Sequence, residues 1–573
     1  MASVPAAPPS RPRQGSSLAA SRAAPILLGW LFVLSRALAP VRETDAGWHL
    51  AVGRVIARHG IPFENALSWT HPHAPWFATS WLFDWLAYET TLRAGVLGLQ
   101  LFTFLWVAAT IAVAAEAAHR LHPFGAWVAP TLALLLAYRI TPRPEIASQA
   151  VLAAVLLLGL RGTRPARMAA VALIALGSNL HTGVVFAAAL LGLFCLEAGW
   201  RERRQRRSAA VELAIAASGV LGVVANPGGL FDARYLVLHL HVQSVVRLAE
   251  FFTPTLVQAP TFYALLALAL AAGWRVRRER PALFAAAVVF GALGIYALRL
   301  VYEFEVVGAV TVVAGLSTRR MAGRSRVVGL SLAALFGLAL AARMGVYDDL
   351  RLGARFDQHA LPVRAARYIR SRGLRGRFFN AFRDGGYLEW KLPRLPAFQD
   401  ARIQAYPPSF FAREESAEKS PAAFRAYARD LGVEWAVASR TRERLAGFRL
   451  FDGPGWALVY WDDATEVWVR RDVPRWARLV ARDQYRCVVP YGSVVGRLRS
   501  LDRRALGTCV SEADRVTATG TVDPQVAIVR CGALVRLGAP EATAACHWAA
   551  ALSDTGRERA LLAMARALPL AGP

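Results

Sequence analysis

The chain has 573 residues, of which 55% are hydrophobic and 19% are charged. This balance excludes a disordered chain and argues against an ordinary soluble enzyme. The net charge is +27, but much of the excess lies in short arginine clusters between apolar runs, where membrane proteins place cytoplasmic charge. The sequence therefore predicts a membrane protein with many spans and no nucleic-acid partner.

Apolar runs fill the first three-fifths of the chain and predict eleven membrane-spanning helices. Several are shorter than the ~20 residues that a perpendicular span needs. In chain order, the predicted spans are Ala24–Pro40, Leu97–Ala117, Phe124–Tyr138, Ile146–Leu160, Met168–Gly177, Gly183–Trp200, Ala209–Ala225, Pro260–Trp274, Pro281–Ala297, Phe304–Leu316 and Val327–Ala342. The first one also resembles a cleavable signal peptide, and we interpret it as an uncleaved anchor.

Arginine-rich loops orient these spans, because such loops face the cytoplasm. An even number of crossings must separate any two of the loops, which fall at residues 161–167, 201–207, 275–280 and 319–326. The run Met168–Trp200 is too long for one crossing, and the polar break Ser178-Asn-Leu-His181 lies in its middle. The predicted topology has a cytoplasmic N-terminus and a periplasmic C-terminal domain at a bacterial inner membrane.

Four domains are expected on this topology. They are a cytoplasmic tail at residues 1–23, a membrane body at 24–346 with the periplasmic loop 41–96, a periplasmic α/β domain at 347–475 and a helical tail at 476–573. In the α/β domain, alternating patterns predict strands at Arg377–Asn380, Trp435–Ser439, Ala457–Trp461 and Glu466–Arg470, the last two forming a hairpin. Helical spacing marks Pro362–Arg372 and Pro421–Leu431.

The cysteines follow the same division, with Cys195 in an apolar run and four others in the tail. Their spacings do not indicate a zinc ribbon or a haem attachment site. Four cysteines outside the cytoplasm suit two disulfides, for which three pairings exist. A predicted helical hairpin carries Cys531 and Cys546 on its two arms, which favours Cys531–Cys546 together with Cys487–Cys509. Four free thiols are the alternative.

The most informative stretch follows the first span and reads Glu43-Thr-Asp45-Ala-Gly-Trp-His49. In an extended chain the side chains of Glu43 and Asp45 point the same way, so they could share a proton or a divalent cation such as Mg²⁺ or Mn²⁺. A carboxylate at this place could also act as general base on an acceptor hydroxyl. Alternatively, Asp45 caps the helix that follows.

This stretch contains the first of several motifs that occur in a fixed order along the chain. Together they resemble one group of bacterial GT-C membrane glycosyltransferases. The resemblance covers roughly residues 24–475, and Ala401 stands where the group has glycine. The motifs are Asp45-x-Gly-Trp-His-Leu-x-x-Gly53, His59-Gly-Ile-Pro62, Ser68-Trp-Thr70, Trp81-Leu-Phe-Asp84, Arg143-Pro-Glu145, Asn179-Leu-His181-Thr-Gly183, Asn226-Pro-Gly-Gly229, Glu250-Phe-Phe-Thr-Pro254, Asp384-Gly-Gly-Tyr387 and Asp400-Ala-Arg402.

The resemblance implies an active site on the outer face and a sugar donor carried on polyprenyl phosphate. It implies a catalytic aspartate in the first outer loop, which maps onto Asp45 and would act as general base in an inverting transfer. Other residues are expected to bind substrate, with the two arginines stabilising the phosphate leaving group; they are Glu43, His49, Arg143, Glu145, Asn179, His181 and Arg299. Ordinary snorkelling at a helix end is the alternative role for these arginines. The chain lacks a clear Asp-x-Asp motif, which leaves metal dependence open.

These patterns favour a hexosyl- or pentosyltransferase that uses a lipid-linked donor and works among membrane lipids on a lipid, glycan or protein acceptor. A non-catalytic scaffold or sensor that displays a periplasmic domain is the second hypothesis. A transporter or flippase is the third, and it is disfavoured because few acids lie well inside the spans; Glu116, Glu197 and Glu212 are near their ends.

Overall fold

The computed structural model describes residues 15–202, 206–231, 249–316, 352–440, 450–451, 453–490 and 495–571. The chain divides into two compact units. The first comprises Met1–Val41, Gly53–Ile61 and Phe77–Arg355, and the second comprises Arg42–Val52, Pro62–Trp76 and Phe356–Pro573. The division falls inside the helix Ala46–His59.

The first unit is helical throughout its described part. Its α-helices are Gly15–Ala37, Trp81–His119, Val128–Leu135, Glu145–Arg161, Arg164–Gly177, Val184–Arg201, Arg206–Gly222, Pro260–Val276, Pro281–Tyr296 and Val301–Leu316. Each predicted span within the described residues overlaps one of them, and the predicted polar break falls between Gly177 and Val184. The agreement is loosest for Phe124–Tyr138, where the α-helix covers only Val128–Leu135, and for Leu97–Ala117, whose helix begins at Trp81. The span Val327–Ala342 and the arginine-rich loop at 319–326 lie outside the described residues.

Two described helices, Trp81–His119 and Val184–Arg201, are long and apolar enough to cross a membrane by length and composition. The apolar helices Ser208–Gly222, Pro260–Val276 and Pro281–Tyr296 are shorter. The number of crossings therefore stays a prediction, as does the periplasmic location of the C-terminal domain.

Large apolar side chains are exposed along several helices of the first unit. Leu105 is 63% exposed, Leu176 67% and Leu221 69%. Water would penalise this much apolar surface, whereas lipid chains would not. The first unit therefore has the surface of a membrane-embedded body.

One acid noted at a span end, Glu212, is neutralised by arginines. Its carboxylate accepts two hydrogen bonds of 2.7 Å from the buried Arg167 guanidinium and one of 3.0 Å from Arg164. A carboxylate held in this way is poorly suited to carry protons.

The second unit contains a four-stranded sheet. Its strands are β1 (Phe378–Asn380), β2 (Trp435–Ser439), β3 (Trp456–Trp461) and β4 (Thr465–Arg470), in the order β1-β2-β4-β3. The first pair is parallel and the other two pairs are antiparallel. The four predicted strands are confirmed, and so is the hairpin, in whose turn the Asp462 carboxylate accepts the N–H groups of Ala464 and Thr465 at 2.9 Å.

Helices cover this sheet and form the tail. They are Val363–Arg372, Gly385–Lys391, Pro408–Ala417, Pro421–Asp430, Ala477–Asp483, Arg503–Ala518, Pro524–Leu537, Ala542–Leu552 and Gly556–Arg566. The predicted helical hairpin is confirmed, and Gly538 ends its first arm with φ of +67°, a conformation that glycine adopts without strain. Disulfides join Cys487 to Cys509 and Cys531 to Cys546, which is the favoured pairing, while Cys195 is free and buried.

Candidate functional site

Three arginines and two glutamates form a mixed-charge group in the first unit, which we call the arginine cluster. Its members are Arg139, Arg143, Glu145, Glu250 and Arg299. Sequence analysis selected Arg143, Glu145 and Arg299, and the structure brings these three together.

Helix ends and turns hold this cluster. Glu145 is the first residue of its helix, where the positive end of the helix dipole favours a carboxylate. Arg299 lies in the turn just before the next helix, and Glu250 lies in another turn. A backbone hydrogen bond of 3.0 Å from the Leu298 N–H to the Phe252 carbonyl joins these two turns.

Each arginine of the cluster contacts both carboxylates. The distances between guanidinium nitrogen and carboxylate oxygen are 3.6 and 3.8 Å for Arg139, 3.5 and 4.0 Å for Arg143, and 3.7 and 3.8 Å for Arg299. Short charge-assisted hydrogen bonds measure about 2.7–2.9 Å. The pairs are thus loose.

The cluster is also partly open to its surroundings. The exposed fractions of the Arg139, Arg143 and Arg299 side chains are 12%, 18% and 22%. The guanidinium groups of Arg139 and Arg299 lie over the rings of Tyr302 and Phe251, at 4.7 and 4.8 Å from the ring centres. Because a guanidinium fork matches phosphate geometry, this arrangement can accept a phosphate group.

His181 lies close to the helix that begins with Glu145. Its Nδ1 accepts the Gly183 N–H at 3.1 Å and lies 2.9 Å from the Ser148 hydroxyl oxygen, while that hydroxyl also lies 2.9 Å from the Glu145 carbonyl oxygen. Since Nδ1 accepts a backbone N–H, a neutral His181 ring carries its proton on Nε2. His181 is therefore fixed beside the first turn of this helix, and its substrate-binding role stays a prediction.

Asn179 has a structural place in the first unit. Its side-chain oxygen accepts the Trp81 indole N–H at 2.9 Å, and its amide nitrogen donates to the carbonyl groups of Ala175 and Ala225, both at 3.1 Å. Its backbone carbonyl accepts the Leu82 N–H at 3.1 Å. These bonds support a role in joining helices, and its predicted contact with substrate stays untested.

Glu43, Asp45 and His49 lie in the second unit. Asp45 directly precedes the helix Ala46–His59, and its backbone N–H donates to the Glu43 carboxylate at 3.2 Å. Glu43 therefore orients the backbone at Asp45, which itself is half-buried. His49 is buried and its ring lies 3.5 Å from that of Trp48, centre to centre. Both the general base and the helix cap remain open for Asp45.

These residues do not by themselves complete a metal site. In the described part of the chain, no group of three or more His, Cys, Asp or Glu side chains could hold a metal ion. One Glu43 oxygen is engaged with the Asp45 N–H. The expected Mg²⁺ or Mn²⁺ stays a prediction, for which this pair supplies two carboxylates at most.

Several motifs of the resemblance fasten loops within the second unit. The Ser68 and Thr70 hydroxyls donate to the Phe398 carbonyl at 3.1 and 2.7 Å, and the Trp69 indole N–H donates to the Phe378 carbonyl at 3.0 Å. These bonds attach the segment 62–76 to the edge of the α/β domain.

At the Asp-Ala-Arg motif, a buried ion pair between Asp400 and Arg402 also attaches the segment 62–76 to the α/β domain. Arg402 donates to the Asp400 carboxylate at 2.6 and 2.8 Å and to the Asn65 side-chain oxygen at 3.0 Å, and the Tyr406 hydroxyl donates to Asp400 at 2.7 Å. Burial by itself would raise the pKa of Asp400, but the Arg402 guanidinium holds that pKa below its usual value. The motif is therefore architectural.

The glycines of the Asp-x-Gly-Trp-His and Asp-Gly-Gly-Tyr motifs permit backbones to meet. A Cβ atom on Gly47 would lie 2.4 Å from the carbonyl carbon of Gly386 and 2.4 Å from the backbone nitrogen of Tyr387. No side chain fits at that distance. The segment carrying Asp45 thus docks directly on the short helix Gly385–Lys391.

Gly47→Ala is therefore expected to destabilise the protein by about 1–3 kcal/mol, the usual cost of overpacking. Gly507→Ala is the matched control, because a Cβ there meets nothing within 4 Å and lies in a helix, where alanine is favoured. Thermal unfolding of both variants in detergent measures the difference. Equal melting temperatures would contradict the close docking of Gly47.

Two members of the arginine cluster were not selected from the sequence, namely Arg139 and Glu250. Arg139 follows a predicted span by one residue, which is the same signal that singled out Arg143. Glu250 opens a motif of the resemblance but was given no role. A rule that collects every charge at a predicted span end would have found Arg139 but not Glu250, which lies ten residues before the next predicted span.

Comparisons with known proteins gave similar structures only. No protein-family model and no curated protein matches the chain. ArnT from Cupriavidus metallidurans bound to undecaprenyl phosphate is similar with a TM-score of 0.46 and 16% sequence identity, covering 80% of this chain and 99% of that chain. ArnT from the same organism in the apo state is similar with a TM-score of 0.49 and 15% identity, covering 79% and 98%.

Proposed function

We propose that this chain is a GT-C-like membrane glycosyltransferase. It moves a hexosyl or pentosyl group from a polyprenyl-phosphate donor to a lipid, glycan or protein acceptor at the periplasmic face of a bacterial inner membrane. The arginine cluster carries this proposal, because it combines three guanidinium groups with an apolar helical body. A lipid that bears a phosphate group has both matching parts.

In the proposed reaction, the acceptor oxygen attacks the anomeric carbon of the sugar and forms the new glycosidic bond. The bond between that carbon and the phosphate oxygen breaks, and polyprenyl phosphate leaves with the electron pair. The acceptor proton passes to the Asp45 carboxylate. Attack opposite the leaving group inverts the anomeric centre.

The guanidinium groups of Arg139, Arg143 and Arg299 would stabilise the charge that develops on the leaving phosphate. Preorganised donors of this kind typically contribute a factor of about 10²–10³ each. Glu145 and Glu250 would hold the three arginines apart and in place, since each carboxylate contacts all three.

In the second unit, Glu43 would set the backbone at Asp45 through its hydrogen bond to the Asp45 N–H. His49 and Trp48 would form an apolar and aromatic wall beside it. Glu43 and Asp45 would be the residues that hold a divalent cation, which would supply positive charge to a phosphate group. The proposed steps do not require it.

The test is to purify the wild-type protein in detergent and assay it against a panel of polyprenyl-phosphate sugars. Release of polyprenyl phosphate is the readout, and thermal stabilisation by undecaprenyl phosphate, the ligand of one similar ArnT structure, is measured in parallel. Release from at least one donor is expected. Binding without release from any donor, with acceptors of all three classes supplied, would favour the scaffold hypothesis, and neither binding nor release would contradict the proposal.

A further inference from the structure

A second group of arginines lies in the second unit, outside the resemblance. Arg471 and Arg486 both donate to the side-chain oxygen of Gln484, at 3.2 and 3.3 Å. Arg515 donates to the backbone carbonyl of Gln484 at 3.2 Å, and its guanidinium lies 4.3 Å from the centre of the Tyr485 ring. Three guanidinium groups thus converge on one two-residue segment.

Among the described residues, Arg471, Arg486 and Arg515 form no ion pair with a carboxylate. The acids nearby are engaged elsewhere. Asp483 pairs with Arg372 at 2.7 Å and with Arg482 at 3.0 Å.

Glu512 is engaged too. Its carboxylate accepts the backbone N–H groups of Arg486, Cys487 and Val488 at 2.8–2.9 Å. Within the described part of the chain, the three arginines therefore donate to neutral oxygens, and the Nε of Arg515 is buried there without a hydrogen-bond partner.

The convergence is fixed by the disulfide Cys487–Cys509. Cys487 follows Arg486 in the chain, and Cys509 lies on the helix Arg503–Ala518, which also carries Arg515. Partial burial, and then the positive charge of Arg486, lowers the pKa of the Arg471 guanidinium. The fold thus holds like charges together at a cost that a bound anion would offset.

We propose that Arg471, Arg486 and Arg515 form a phosphate-binding site. Three guanidinium forks with spare donors match the oxygens of a phosphate group better than a point charge would. The phosphate would come from the headgroup of an anionic phospholipid, which carries no compensating positive charge, or from a free phosphate in solution. This site is separate from the donor site proposed above and does not depend on it.

Hydrogen exchange of the full chain in nanodiscs tests the site. The backbone N–H groups of Cys487 and Val488 directly follow Arg486 in the chain, so their exchange rates respond to a ligand bound at these arginines. One arm uses phosphatidylcholine nanodiscs with inorganic phosphate, against chloride at matched ionic strength. The other arm uses nanodiscs that contain phosphatidylglycerol, without free phosphate. At about ten times its Kd, a ligand that must leave before these amides exchange slows them about tenfold.

Protection by inorganic phosphate identifies free phosphate as the source, and protection only by phosphatidylglycerol identifies the headgroup. The double variant Arg471→Gln with Arg486→Gln is expected to lose the protection. The double variant Arg504→Gln with Arg557→Gln removes the same charge from exposed positions of the same unit and is expected to keep it. Intact disulfides and an unchanged melting temperature show that each variant is folded.

The double variant Arg471→Lys with Arg486→Lys retains the charge but not the forked geometry, and it is expected to bind phosphate more weakly. If amide exchange in this variant is slowed as much as in the wild type, or if chloride slows exchange as much as phosphate does, the effect is charge screening and the proposed site is contradicted. Protection in neither arm would overturn it as well.

Discussion

Asp45→Asn is expected to slow the release of polyprenyl phosphate by about a hundredfold or more, the scale on which a general base contributes to catalysis. Asparagine keeps the size and the capping ability of aspartate, because both are good N-cap residues. It cannot take up the acceptor proton. The variant therefore separates the two roles that remain open for a residue directly before the helix Ala46–His59.

The measurement combines initial rates with melting temperatures for three variants. Asp45→Asn should be slow but as stable as the wild type, whereas Asp45→Ala should be slow and about 1 kcal/mol less stable through loss of the cap. Asp430→Asn, at an exposed helix end of the same unit, is the control and should change neither quantity. Full activity in Asp45→Asn would remove Asp45 as the base.

The second large effect is expected at the arginine cluster. Arg143→Gln should lower kcat/KM by about 10²-fold, the usual result of removing one donor to a developing negative charge. The Arg143 side chain is only 18% exposed and contacts both Glu145 and Glu250, so its replacement removes one of the three guanidinium groups of the cluster. Affinity for undecaprenyl phosphate should fall with it.

Arg139→Gln tests the cluster most directly, because Arg139 was not selected from the sequence and only the structure places it beside Glu145 and Glu250. It should resemble Arg143→Gln in both kcat/KM and lipid affinity. Arg120→Gln is the matched control, since Arg120 is an exposed arginine of the same unit that pairs with Glu116 on its own helix. Wild-type lipid affinity in both Arg139→Gln and Arg143→Gln would contradict the phosphate site, whatever Asp45 does.

The two experiments are independent, since Asp45 and the arginine cluster belong to different units. Loss of rate in Asp45→Asn with lipid affinity retained would separate proton transfer from donor binding. Loss of both quantities in the arginine variants would place those residues at the donor. A protein that keeps lipid binding but shows no transfer in any variant would be a lipid-binding scaffold.

Local sequence patterns predicted helices at the spans within the described residues, the four strands and the favoured disulfide pairing. Hydropathy, alternation and turn residues act within about one element, so the hairpin around Asp462 and the helix stop at Gly538 could be read from neighbours in the chain. The pairing Cys531–Cys546 follows from the predicted helical hairpin, because the two cysteines lie on its two arms, 15 positions apart in the chain.

Tertiary structure decided which charges meet. Arg143 and Glu250 are 107 residues apart, and Arg402 and Asn65 are 337 apart, so no local pattern could pair them. The structure also shows that the Asn179 side chain forms hydrogen bonds between helices, whereas the motif had led us to expect that it binds substrate. The physical reason is that periodicity records which face of an element is apolar, whereas the partners of a polar side chain depend on how distant elements pack.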